Sequence, residues 1–158
     1  MMLRDNWIAG QLGHDREQNE ISRRLRSVKD FGATGDGFSD DTISIQSGLD
    51  WAGSENGTLL FPVGVYRVGS ALTPTGKVRL SGQSRGGTQL VSADDTLFAW
   101  GVSKTVVEHM TLHAEVGGGH LFDQVGAATH NLFCDLDLIQ DNNDKSIYNH
   151  TADAGNYL

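Results

Sequence analysis

The apolar residues of the segment 15–28 follow the spacing of one helix face. Ile21, Leu25 and Val28 lie at i, i+4 and i+7 among charged side chains, and Asp15 is a suitable N-cap. A helix of about 12 residues with so narrow an apolar stripe is marginal in water on its own. We therefore expect either a short oligomeric stem, in which association supplies the missing burial, or a strap against the domain that follows.

A second helical pattern occupies residues 39–53. Ile43 and Leu49 fall on one side of the predicted helix, and a glycine at its end is a suitable stop. Either Asp40 or Asp41 can cap its N-terminus. The sequence therefore predicts one amphipathic helix in this part of the chain.

Beyond residue 57 the pattern changes to short runs of β-branched and aromatic residues interrupted by glycines. Such runs occupy residues 59–61, 63–68, 78–80 and 90–91. They are too short and too closely spaced to alternate with helices in βαβ units. We therefore predict that this region is all-β.

Two segments within the β region resemble each other. Residues 97–100 followed by 106–112 match residues 121–124 followed by 132–138, at offsets of 24 (97 to 121) and 26 (106 to 132). Self-similarity at such a period is typical of stacked solenoids. Alternation along each copy predicts three inward side chains, namely Val106, Met110 and Leu112 in the first and Leu132, Leu136 and Leu138 in the second.

The charge balance limits the partners of the chain. The sequence contains 12 basic and 20 acidic side chains, which gives a formal net charge of −8. Nucleic-acid binding, in contrast, relies on clustered Lys and Arg. No apolar run approaches the roughly 18 residues of a membrane span, and the N-terminal segment is too polar for a secretory signal. We expect no nucleic-acid partner and no membrane insertion.

Residues 28–68 carry a distinct signature. A DFGATGDG stretch leads into two aspartates and a helix, and an FPVGVY strand follows. The signature positions are Asp30, Phe31, Gly32, Ala33, Gly35, Asp36, Gly37, Asp40, Asp41, Thr42, Phe61, Pro62, Gly64 and Tyr66. This pattern resembles the opening signature of the pectate-lyase-like superfamily.

The resemblance implies a right-handed parallel β-helix with a capping α-helix, preceded here by the short α-helical stem. Ile43 and Leu49 would cover the open end of the first coil, and glycines 32, 35 and 37 would adopt backbone angles closed to other residues. Residues 1–27 would form an N-terminal virion-attachment or oligomerisation segment, and residues 28–158 the start of the β-helix domain. The region after residue 57 supplies only about four coils, so we expect a truncated solenoid.

Asp135 and Asp137 are the candidate catalytic residues. Side chains two apart on a strand project to the same face, at a separation compatible with glycoside hydrolysis. Outward strand positions are polar whatever the function, however, so a merely solvated face explains the pair as well. The motifs of polygalacturonase-type enzymes are missing from the sequence. We therefore expect that this segment is not itself catalytic, although its parent protein could be a polysaccharide lyase or glycoside hydrolase.

The acidic cluster of the signature lacks the calcium-loop pattern. A calcium loop needs a glycine after its third ligand and a distal glutamate, and helix capping accounts for Asp36, Asp40 and Asp41. No glycine-rich segment matches a nucleotide-binding fingerprint. We expect neither a metal nor a cofactor.

These features favour a bacteriophage tailspike or tail fibre protein, a homotrimer in the virion tail that recognises a host cell-surface polysaccharide. Any depolymerase activity would lie in a C-terminal part. The predicted trimer contacts are Ile21, Leu25 and Val28, and the residues predicted to dock on a phage tail or adaptor protein are Trp7, Ile8 and Leu12. Two alternatives stay open: an extracellular pectate-lyase-like or glycoside hydrolase enzyme of cellular origin, and a noncatalytic β-solenoid adhesin.

Overall fold

The computed structural model describes residues 24–93, 96–101, 104–115, 120–125, 131–141 and 148–151, the last four and residue 125 by their backbone. The described chain is a parallel β-helix, which confirms the predicted fold class. Its elements are β1 (Leu25–Ser27), β2 (Asp36–Asp40), α1 (Thr42–Glu55), β3 (Thr58–Phe61), β4 (Gly64–Val68), β5 (Arg79–Gly82), β6 (Thr88–Ser92), β7 (Phe98–Trp100), β8 (Val106–Ala114), β9 (Phe122–Val125), β10 (Leu132–Gln140) and β11 (Tyr148–Thr151).

Successive coils stack by parallel pairing on three sheets. The first sheet contains β1, β3, β5 and the first halves of β8 and β10. The second contains β2, β4, β6 and the second halves of β8 and β10. The third contains β7, β9 and β11. We number the coils 1 to 4, beginning at β3, β5, β8 and β10.

The repeat in the sequence corresponds to the stacking of neighbouring coils. Val106 pairs with Leu132 at the offset of 26 residues, and Phe98 pairs with Phe122 at the offset of 24. Stacking therefore confirms the predicted register between the two segments.

Strands β8 and β10 each bend where they pass from the first sheet to the second. The bends lie at His109 and Asp135, with φ of 58° and 49°. A left-handed residue within a strand shifts the alternation of side chains by one position. The predicted inward positions of Val106 and Leu132 are therefore wrong. The residues that follow them point inward instead: Val107 is fully buried and Phe133 packs against the core.

The core behind these bends is rich in aromatic side chains. The Trp100 ring centroid lies 5.4 Å from that of Phe133 and 5.5 Å from that of Phe122. Met110 and Leu112 are buried as predicted, and Leu136 packs against the same cluster. Ring stacking between coils 2, 3 and 4 thus continues the core along the axis of the solenoid.

The signature loop depends on glycine where predicted. Gly32, Gly35 and Gly37 have φ of 96°, 60° and 80°. A Cβ at Gly35 would lie 2.7 Å from the ring of Tyr66, so a side chain there meets both backbone strain and a close contact. Glycine therefore lets this loop cross tightly beside the first coil.

The two aspartates before α1 have different roles. An Asp40 carboxylate oxygen accepts a hydrogen bond from the Thr42 backbone N–H at 2.9 Å and caps the helix. The Asp41 side chain makes no helix-capping bond. It accepts instead from the backbone N–H groups of Thr34 and Gly35, at 2.6 and 2.9 Å, and so holds the signature loop.

Helix α1 connects β2 to β3, at the place in the chain where later coils have a strand of the third sheet. It ends at Glu55, two residues beyond the glycine predicted to stop it. Ile45, Leu49 and Ala52 are buried in the core, at the i, i+4, i+7 spacing of one face. The predicted inward position of Ile43 is wrong: its side chain is 83% exposed, because it lies off that face.

The segment directly before the signature is not α-helical. Leu25 lies in β1, which pairs with β3, and Val28 begins a 3-10 turn (Val28–Phe31) capped by Ser27. Pairing with β3 satisfies the backbone of this segment, so tertiary structure overrides the helical spacing. Val28 is fully buried in the core of its own chain, so its predicted role as a trimer contact is wrong. Leu25, in contrast, is exposed.

Two other predictions concern the N-terminal segment, namely its boundary with the β-helix and its contact residues. Because β1 belongs to the first sheet, the predicted boundary at residue 28 lies inside the β-helix. The predicted contacts Trp7, Ile8, Leu12 and Ile21 lie outside the described residues.

Candidate functional site

Four polar side chains from three coils meet on the outer surface where the first and second sheets join. Arg85 comes from the loop after β5, His109 from the bend of β8, and Asp135 and Asp137 from β10. Arg85 Nη1 lies 3.4 Å from Asp135 Oδ1, and Arg85 Nε lies 3.5 Å from Asp137 Oδ2. His109 Nε2 lies 3.7 Å from Asp135 Oδ2. We call these four residues the Arg85 cluster.

The backbone of Arg85 is tied to the next coil, and its loop to the coil before. The Thr111 hydroxyl of β8 donates a hydrogen bond to the Arg85 carbonyl oxygen at 2.6 Å. One residue earlier, the Ser84 carbonyl oxygen accepts from the Thr88 N–H at 2.8 Å. The Gln83 side chain accepts from the Val63 N–H of coil 1 at 3.2 Å. These bonds fix the start of the arginine side chain.

The bend at His109 needs a glycine on the neighbouring strand. A Cβ on Gly82 would lie 2.2 Å from the His109 carbonyl oxygen and 2.9 Å from Met110 Cβ. Only a residue without a side chain lets β5 and β8 approach this closely. Gly82 therefore permits the bend that places His109 in the cluster.

Two other arginines on the outer surface are bound differently. Arg79 donates hydrogen bonds to both carboxylate oxygens of Glu108, at 2.7 and 2.8 Å. Arg67 donates to both carboxylate oxygens of Glu115, at 2.9 and 2.7 Å. Each bidentate bond holds the pKa of its glutamate below the usual value. Glu108 is also only 7% exposed. These pairs are close, bidentate ion pairs that connect different coils.

The contacts within the Arg85 cluster are longer than those of these two ion pairs. One guanidinium is divided between two carboxylates, at distances beyond the 2.7–2.9 Å of strong charge-assisted bonds. The side chains of Arg85, Asp135 and Asp137 are 52%, 48% and 47% exposed. Each carboxylate therefore keeps acceptor capacity toward solvent, and the guanidinium keeps donors.

The surroundings of Asp135 and Asp137 suit binding better than acid catalysis. A carboxyl group kept protonated for glycoside hydrolysis typically lies in an apolar pocket. Here both side chains are about half exposed and contact the same cation. The structure thus brings the predicted pair together, and adds two residues that the sequence reasoning missed, Arg85 and His109.

Three further observations concern the described part of the chain. Cys134 Sγ lies 3.8 Å from Glu108 Oε2, so the thiol faces the outer surface rather than the core. Across the described ranges, no three His, Cys, Asp or Glu side chains are grouped as the ligands of a metal ion would be. The described part of the chain also contains no helix of the length and apolarity that a membrane crossing requires.

Curated proteins of Azotobacter vinelandii are similar to parts of the chain. Mannuronan C5-epimerase AlgE6 is 42% identical over 76 residues, which are 43% of this chain and 9% of that protein. Mannuronan C5-epimerase AlgE4 is 53% identical over 49 residues, 30% of this chain and 9% of that protein. Alginate lyase 7 is 32% identical over 84 residues, 52% and 8% respectively. The chain therefore matches less than a tenth of each of these relatives.

Solved structures show the same fold. A chain of Geobacillus virus E2 ORF18 superposes with a TM-score of 0.56 and 21% identity, over 76% of this chain and 26% of that chain. The A-module of Azotobacter vinelandii mannuronan C-5 epimerase AlgE4 superposes with a TM-score of 0.51 and 31% identity, over 72% of this chain and 36% of that chain. A family model described as "Rhamnogalacturonase A/epimerase, pectate lyase-like" matches residues 25–156. The chain therefore belongs to this pectate-lyase-like family.

Proposed function

We propose that the chain is the N-terminal part of a bacteriophage tailspike or tail fibre protein that binds a host cell-surface polysaccharide. The Arg85 cluster carries the proposal. It presents two half-exposed carboxylates and a guanidinium on the outer surface of a β-helix, and such groups bind sugar hydroxyls. Relatives whose names specify mannuronan or alginate support a polysaccharide as the ligand.

The virion context rests on a separate observation. A viral protein, Geobacillus virus E2 ORF18, has the same fold. In this proposal the segment before β1 attaches to a tail or adaptor protein through Trp7, Ile8 and Leu12. Ile21 and the exposed Leu25 then contribute contacts within a homotrimer.

A polysaccharide-modifying enzyme of cellular origin is the second candidate. The identity of 42–53% with segments of mannuronan C5-epimerases favours it. In that case the activity belongs to the whole protein, and the Arg85 cluster contributes binding.

One set of measurements separates the two candidates. Light scattering on the purified chain gives its mass, and retention on immobilised bacterial surface polysaccharides gives its binding. We expect a trimer that is retained on at least one host glycan, with no change to that glycan. A monomer that is retained on none contradicts the proposal. Release of unsaturated sugars, or a change of sugar configuration, supports the enzyme.

A further inference from the structure

We infer that the Arg85 cluster selects a neutral, hydroxyl-rich glycan and rejects a polyuronate. This inference rests on the proposed function and names its ligand class. Polyuronates are the obvious expectation, because curated relatives are named for mannuronan. The charges on the outer surface of this chain point to a different ligand.

Binding a uronate carboxylate requires a cation that is not already neutralised. The arginines after Arg26 in the sequence are Arg67, Arg79 and Arg85. The first two are bonded bidentately to glutamates, and Arg85 is shared between two aspartates. The charged groups Arg85, Asp135 and Asp137 therefore carry one more negative charge than positive charge.

The rest of the chain reinforces this local excess. The formal net charge is −8, which disfavours the approach of a polyanion at low ionic strength. The exposed lysines Lys77 and Lys104 precede β5 and β8, whereas Arg85 follows β5. At the cluster itself, a uronate chain would meet the half-exposed carboxylates of Asp135 and Asp137.

Sugar hydroxyls match the same groups well. Hydroxyl groups donate to carboxylate oxygens, and the Asp135 and Asp137 oxygens retain acceptor capacity because their contacts with Arg85 are long. The guanidinium donates to a hydroxyl or ring oxygen between them. Arg85 thus acts as a positioning residue for both carboxylates and as a donor to the sugar.

A matched pair of probes tests this selectivity. Hexamers of β-1,4-linked mannose and β-1,4-linked mannuronate share linkage and configuration and differ only at C6, which is a hydroxymethyl group in one and a carboxylate in the other. The two hexamers are tested alongside a panel of neutral and uronate-containing bacterial surface polysaccharides. Binding of the full chain is measured by calorimetry at low and high salt.

We expect neutral members of the panel to bind with little dependence on salt, and the mannuronate hexamer not to bind. Asp137→Asn should lower the affinity for the neutral ligand about tenfold or more. Asp50→Asn on α1 changes the net charge equally and should leave the affinity unchanged. The double variant with Asp135→Asn and Asp137→Asn frees Arg85 and should gain mannuronate binding, while its circular dichroism stays that of the parent.

The outcomes are distinguishable. Preferential, salt-sensitive binding of uronate-containing glycans overturns the inference and leaves the proposed function standing. If no glycan binds, the inference and the proposed function both fail. Neutral binding that is unaffected by Asp137→Asn also overturns the inference, because the glycan then lies elsewhere on the surface.

Discussion

The unequal roles of Asp40 and Asp41 give a sharp test of how the signature works. Asp41 is 2% exposed and accepts hydrogen bonds from the backbone N–H groups of Thr34 and Gly35, and from the Thr34 hydroxyl at 3.0 Å. Hydrogen bonds to a charged group contribute about 1.5–3 kcal/mol each. Thr34 is exposed, so water can replace part of what the loss of these three hydrogen bonds removes. We therefore expect Asp41→Ala to lower the free energy of unfolding by roughly 3 kcal/mol, which is less than the sum of the three contributions.

Asp40→Ala is the matched comparison, because it removes the same group one residue earlier. Asp40 is exposed, and from the position before the N-cap its carboxylate accepts from the first backbone N–H of α1; loss of a side-chain cap costs about 1 kcal/mol. Urea unfolding followed by tryptophan fluorescence gives both free energies, provided that the slope with denaturant is unchanged. A loss in Asp41→Ala no larger than that in Asp40→Ala would refute the assignment of Asp41 to the loop.

Three further changes test the coil geometry. Gly82→Ala should lower the free energy of unfolding by about 3 kcal/mol or more, because its Cβ would meet the backbone of β8. A Cβ at Gly86 would have nothing within 4 Å, so Gly86→Ala should be within about 0.5 kcal/mol of the parent. Equal effects of the two changes in denaturation experiments would contradict the close approach of β5 and β8. Ile45→Ala should cost about 2–4 kcal/mol and Ile43→Ala almost nothing; a reversed order in melting experiments refutes the assigned helix face. Because the pKa of Glu108 is below its ordinary 4.5, its ionised form stabilises the fold above that pH. The stability gap between the parent and Glu108→Gln should therefore shrink as the pH is lowered through this range, and a constant gap would contradict it.

Features encoded locally were predictable from the sequence. The signature glycines take their unusual φ angles within one loop, and the 26-residue repeat directly gives the register of β8 on β10. The pattern also places Asp135 and Asp137 on one strand. The glycine angles and the shared strand follow from neighbouring residues along the chain, and the register follows from the repeat of one segment by the other.

Features that depend on distant contacts were missed. Pairing of β1 with β3 converts the helical spacing of Leu25 and Val28 into a strand and a buried turn. The left-handed bends at His109 and Asp135 are non-glycine residues, so their sequence gives no warning of the shifted alternation. Arg85 reaches the aspartates only after two further coils have stacked. The one available signal was that His109 and Asp135 lie 26 residues apart, the same offset as the repeat.

A crystal structure of the chain with a bound neutral oligosaccharide from a host surface tests the central claim most directly. The account predicts a sugar on the outer surface at the join of the first and second sheets, with hydroxyl groups within hydrogen-bond distance of Asp135 and Asp137. A sugar bound on another sheet, with the Arg85 cluster unchanged and in contact only with water, would contradict it.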